Sequence, residues 1–132
     1  MLPIDDKVLS EHQSSFAFDQ TVDRLSEAII KAGMQLFAVI DHAANAGAAG
    51  LEMPPSTVLI YGKAEGGTMI MLASPASALD LPLRVLVRQD ADGRTIMAFH
   101  PVAPMLETYG IPASVAARLK PAQDLLCKAI TR

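Results

Sequence analysis

The chain carries a single cysteine, Cys127. One thiol cannot close an internal disulfide, so a reducing compartment is the expected setting. The same count excludes zinc cages and iron–sulfur clusters built on several thiolates. No apolar run reaches the ~18 residues that cross a bilayer, so no membrane span is expected. Met1 to Lys7 lacks a basic segment followed by an apolar one, so no signal peptide is expected and the chain reads as cytoplasmic. A basic block is also missing. Eleven Lys and Arg are dispersed among fourteen Asp and Glu, for a net charge of −3. Without a cationic patch, neither nucleic acid nor an anionic membrane is an expected partner. Repeats and low-complexity segments are absent.

What remains is a globular composition: 51% hydrophobic and 19% charged over 132 residues, enough for one domain with a core of its own. The domain is expected to span 1–132, with residues 1–11 at most partly ordered. His12 to Phe18 reads as a strand, with Ser14, Phe16 and Phe18 on one face. Asp19 reads as the N-cap of a helix whose apolar stripe is Val22, Leu25, Ile29 and Ala32. Gly33 suits the left-handed residue that ends it. The apolar run Met34–Ile40 reads as a central strand buried on both faces.

Ala43–Ala49 is an alanine-rich short helix stopped by Gly50, and Thr57–Tyr61 is the next strand. Gly62–Gly67 reads as a loop, with Thr68 capping a short helix that Pro75 stops. Leu83–Gln89 and Arg94–His100 form a hairpin around Asp90-Ala91-Asp92-Gly93. Pro104–Tyr109 adds helical turns. The last helix, with Val115, Leu119, Ala122, Leu126 and Ala129 at helical spacing, must kink or split at Pro121. This order predicts an α+β two-layer sandwich: a mainly antiparallel sheet of about five strands with helices packed on one face. An opposite face as apolar as Leu86, Met97 and Phe99 suggest would need a partner, and a homodimer is the simplest.

Chemistry could reside in four places. Asp41-His42 ends a strand, where a carboxylate beside an imidazole suits acid–base or metal chemistry. The plainer reading, that Asp41 caps the alanine-rich helix, is preferred. Asp80 lies between Leu79 and Leu81, with Arg84 four residues on as an ion-pair partner; a structural bridge is favoured over catalysis. Tyr61-Gly62 through Gly67-Thr68 mimics a phosphate loop, but Thr68 stands where the lysine must be, so nucleotide hydrolysis is rejected. Its amides could still hold an anion, although a plain connection is favoured. His42 and His100 are weak metal candidates, because no local His pair exists.

Asp90, Asp92 and Gly93 only faintly resemble a calcium loop, since Arg94 replaces a ligand. Met69 and Met71 could line a soft apolar pocket, with core filling the preferred role. No Gly-x-Ser-x-Gly elbow is present, and no cofactor is called for.

Three segments together resemble a known family. They are Phe37–Ala43 with Ala46, Gly50-Leu51 and Met53-Pro54; Leu59–Gly62 with Gly67-Thr68 and Met71; and Ala78–Val87. From about Phe16 to Leu126 the chain resembles the family known as domain of unknown function 302. The resemblance implies a fold like the TATA-binding-protein superfold, and dimers. It implies neither DNA binding nor an established activity. Asp41, His42 and Asp80 match the family pattern, whereas Lys63-Ala64 stands where that pattern leads one to expect Asn-Pro.

The leading expectation is therefore a dimeric small-ligand-binding or interaction domain. Its polar crevice would draw on Asp41, His42, Tyr61 and Asp80, with Gly62, Gly67, Thr68 and Arg84 as further contacts. The alternatives are an acid–base or metal-assisted enzyme using His42 with Asp41 or Asp80, and a purely structural oligomerisation module.

Overall fold

The computed structural model describes residues 4–132. A five-stranded, wholly antiparallel sheet has the spatial order β1-β5-β4-β3-β2. The strands are β1 (Ser10–Gln13), β2 (Gln35–Asp41), β3 (Ser56–Gly62), β4 (Leu83–Gln89) and β5 (Thr95–Phe99). Six α-helices connect and cover them: α1 (Phe18–Lys31), α2 (His42–Ala48), α3 (Ala64–Ala73), α4 (Val102–Glu107), α5 (Ala113–Ala116) and α6 (Pro121–Ala129). Of the segment read as loosely ordered, residues 1–3 lie outside the described residues, while Ser10 and Glu11 belong to β1. The Val8 and Leu9 amides donate to the Asp5 carbonyl.

Period-two alternation decides what each strand buries. Leu59 and Tyr61 of β3, Val85 and Val87 of β4, and Met97 and Phe99 of β5 point to the helices and are buried. They pack with Leu25 and Ile29 of α1, Leu106 of α4 and Leu126 of α6 in one core. α1 ends as its Gly33 demands. At φ 81°, Gly33 donates to Ile30, and Met34 donates to Ile29, which satisfies two carbonyls at the helix end. Helix breaking at Pro121 also occurs: a 3-10 turn at Ala117–Leu119 leads into α6, which starts at the proline.

Several sequence expectations are corrected. The first strand is Ser10–Gln13, not His12–Phe18. At Ser14 the backbone turns, its hydroxyl accepting the Phe16 amide and pairing with Thr21 Oγ1 at 2.7 Å. Phe18 already belongs to α1, whose N-cap is Ala17, so Asp19 sits in the first turn, where its charge complements the helix dipole. Gly66, Gly67 and Thr68 lie inside α3, because the Gly66 and Gly67 amides close a helical turn on the Lys63 carbonyl.

β2 is an edge strand, not a central one; Phe37 and Val39 stay 44% and 52% exposed. Its register shifts between Leu36 and Ala38, which makes Phe37 the extra residue of a bulge. Met97 and Phe99 face the helices rather than the far side. The far face is nevertheless apolar: Ile40, Val58, Ile60, Leu86 and Ile96 lie on it, outside the helix-covered core and only half-buried.

Candidate functional site

Antiparallel pairing separates the residues expected to share a polar crevice. Asp41 stands opposite Thr57, whereas Gln35, at the other end of β2, stands opposite Gly62. Four residues of β3 at ~3.3 Å each put Thr57 ~13 Å from Tyr61. Asp41 and His42 are therefore at one end of the sheet, and Tyr61, Gly62 and the Asp80 corner are at the other. Asp41 Oδ1 accepts the Ala44 amide at 2.9 Å, the N-cap bond of α2, and His42 is exposed in the first turn.

Asp80 ends a 3-10 turn (Pro75–Asp80). Its carboxylate accepts the Tyr109 hydroxyl and lies 3.9 Å from Arg84 Nη2. That hydrogen bond holds the Tyr109 phenol above its ordinary pKa, since losing the proton would set two anions side by side. Asp80 thus ties the corner before β4 to the end of α4. Tyr61 is fully buried; its hydroxyl donates to the Ala122 carbonyl, and burial pushes its pKa well above the usual phenol value.

His100 is not near His42. It follows β5 at the end where β4 begins, its Nδ1 is 2.6 Å from the Val8 carbonyl, and its own carbonyl accepts Gln123 Nε2. Among the described residues no group of three His, Cys, Asp or Glu side chains could hold a metal ion. The convergence that an acid–base or metal site would require of Asp41, His42 and Asp80 is absent.

One cluster was not legible in the sequence. Ser10 and His12 alternate onto the helix-facing side of β1, where Ser10 Oγ is 2.7 Å from His12 Nε2 and Cys127 Sγ of α6 is 3.8 Å from the same nitrogen. His12 also stacks on Phe99, with ring centroids 5.8 Å apart. Burial, reinforced by the Asp124 charge, pushes the Cys127 thiol up. That suits a protonated packing group rather than a nucleophilic thiolate. Only the β1 register could have brought these three residues together.

An apolar hollow lies at the Gly62 end of the sheet, with a volume of about 260 Å³. Met34 and the bulged Phe37 form one wall. Gly62, Lys63 and Ala64 lead from β3 into α3, which contributes Gly67, Thr68 and Met71. The corner Leu81-Pro82-Leu83 forms the floor, and Leu119 and Ala122 close the far side. Gly62 leaves room: a Cβ there would touch Pro82 at 3.6 Å and Phe37 at 3.9 Å.

Of the residues expected to bind a ligand, Gly62, Gly67 and Thr68 line this hollow, while Asp41, His42, Tyr61, Asp80 and Arg84 do not. Met71 lines it, and Met69 is solvent-exposed. Among the described residues that line it, Lys63 and Thr68 are the only ones with polar side chains, and none is His, Cys, Asp or Glu.

An antiparallel sheet with helices over one face and an apolar hollow at its end defines an α+β domain of the two-layer class. The family model described as Domain of unknown function DUF302 matches residues 10–131, and the chain belongs to that family. A crystal structure of an uncharacterized conserved protein DUF302 from Bacillus stearothermophilus superimposes with a TM-score of 0.80 over 93% of this chain and 95% of that one. At 16% identity, that likeness is one of fold.

Two Brucella proteins are similar in sequence. "Fluoride-specific ion channel FluC 1" of Brucella suis biovar 1 (strain 1330) is 29% identical over 120 residues, covering 91% of this chain and 47% of the relative. "Fluoride-specific ion channel FluC 1" of Brucella abortus biovar 1 (strain 9-941) is also 29% identical over 120 residues, covering 44% of the relative. The chain spans less than half the length of these curated relatives. No helix among its described residues is long and apolar enough to cross a membrane.

Proposed function

We propose that this chain is a binding module that takes a small, mainly apolar molecule into the hollow between the end of β3, α3 and the start of α6. The observation that carries this reading is the hollow itself: about 260 Å³, apolar on nearly every side, with two polar side chains to orient a guest. The absence of an imidazole, thiol or carboxylate from the wall favours holding a ligand over transforming it. In the Brucella channel polypeptides the matching stretch is one part of a longer chain.

Titration calorimetry with octan-1-ol, a neutral apolar probe, tests the reading. Binding to the native chain, weakened at least tenfold by Gly67→Leu in a variant whose circular dichroism is unchanged, is the expected result. No binding, or binding indifferent to Gly67→Leu, overturns it.

A separate observation supports the interaction side of the reading. The far face of the sheet presents half-buried Ile40, Val58, Ile60 and Leu86. A second copy laid face to face would remove that surface from water. Sedimentation should give a dimer that Leu86→Glu converts to monomer; a native monomer at high concentration overturns this part.

A further inference from the structure

The hollow has a charge bias that its apolar lining does not explain. Among the described residues Lys63 is its only ionic wall residue, and no carboxylate shares the lining. Among the described residues Lys63 enters no salt bridge; the carboxylates that do are Glu11, Asp80, Asp90, Asp92 and Asp124, each with another partner. Its placement is specific. Lys63 Nζ and Cε lie 3.6 and 3.7 Å from where a Cβ on Gly33 would be, so the side chain folds over the α1–β2 turn next to Met34, another wall residue. A second positive feature coincides with it. Lys63 is the N-cap of the ten-residue helix α3, and no side chain caps the opening amides of that helix. Ala64, its first residue, also lines the hollow. Lys63 and the start of α3 therefore share one rim of an otherwise apolar space; Glu65, in the same first turn, is not among the residues that line it.

Resting on the binding-module reading, we propose that the guest is a free medium-chain carboxylate: an amphiphile with its hydrocarbon body among Phe37, Met71, Pro82 and Leu119 and its anionic head at Lys63 and the α3 amides. Size points the same way. At about 260 Å³ the hollow lies just below the ~300–1,000 Å³ of drug-sized ligand pockets, which suits a medium-chain amphiphile better than a full membrane lipid. Thr68, one turn along α3 and on the wall, offers a hydroxyl to the same head.

Octanoate, octan-1-ol and octylamine form the test, titrated separately into the native chain, Lys63→Met and Lys63→Arg. Lys63→Met keeps the length and apolar stem while removing the charge. The native chain should bind octanoate at least tenfold more tightly than octan-1-ol, and octylamine most weakly. Lys63→Met should abolish the octanoate preference, and Lys63→Arg should retain it. Raising the salt concentration should weaken octanoate alone. Octanoate binding no tighter than octan-1-ol, or a preference that survives Lys63→Met, overturns the carboxylate proposal while the apolar-guest reading stands. Absence of binding by all three overturns both.

Discussion

The hydroxyl of Tyr61 donates to the carbonyl of Ala122 at 2.9 Å, joining β3 to the first turn of α6 across 61 residues of sequence. The ring beneath it is fully buried, so the bond acts from inside the core and sets how closely α6 approaches the sheet. Tyr61→Phe keeps the ring and deletes the donor. It should lower stability by about 1 kcal/mol, the usual net worth of one such hydrogen bond, read as a lower urea midpoint with an unchanged slope.

Alkaline pH should weaken the fold in two stages. The Cys127 thiol is pushed up by burial and by Asp124, and the Tyr61 phenol is pushed up chiefly by burial. A group whose folded pKa is raised contributes stability that is complete below its unfolded pKa and is lost as pH rises. The melting temperature should therefore begin to fall above about pH 8.5, the ordinary thiol value, and fall faster above about pH 10, the ordinary phenol value. Cys127→Ala should flatten the first stage and Tyr61→Phe should reduce the second, to which Tyr109, held up by its bond to Asp80, also contributes. A profile that is the same in both variants as in the native chain would contradict these assignments.

Asp41→Ala should cost about 1 kcal/mol, because the Ala44 amide loses its acceptor at the start of α2. Octan-1-ol and octanoate binding should be unchanged, since the hollow is at the opposite end of β2. Chemical denaturation and calorimetry on the same preparation check both halves.

Two adjacent glycines in α3 should respond differently to alanine. A Cβ at Gly67 meets only Met71 Cε at 3.8 Å, an ordinary contact, so Gly67→Ala should gain up to about 1 kcal/mol from helix propensity. A Cβ at Gly66 comes within 3.2 Å of Leu119 Cδ2, which has to move. Gly66→Ala should gain less, and it should perturb guest binding by displacing a wall residue. Thermal melts of the two variants, side by side, give the order.

Much of the fold was legible because local rules and tertiary packing agree. Leu25 and Ile29 repeat at helical spacing and are buried, Gly33 and Gly93 take the positive φ their positions need, and Asp41 caps α2 as its side chain favours. Met34–Ile40 misled because an apolar run does not say which strands flank it. Phe37 and Val39 are hydrophobic yet remain partly in water on an edge strand. The crevice expectation failed on register. Asp41 and Tyr61 both lie near strand ends, but those ends are opposite ones of an antiparallel pair, which only the pairing reveals. The hollow was half visible: Gly62, Gly67 and Thr68 were singled out, for a phosphate-like loop. Lys63 attracted notice only as a departure from a pattern, and Leu119 and Ala122 join it from more than fifty residues away.

The bulge at Phe37 has a consequence beyond the wall it forms. A flat apolar border strand is a template on which identical chains can add without limit, each continuing the ladder of the last. The extra residue throws the donors and acceptors of β2 out of step partway along and twists the border away from a flat neighbour. Deleting Phe37 would leave Leu36 opposite Tyr61 and Ala38 opposite Ile60 with nothing between them, an unbroken six-residue border that favours fibrous self-assembly.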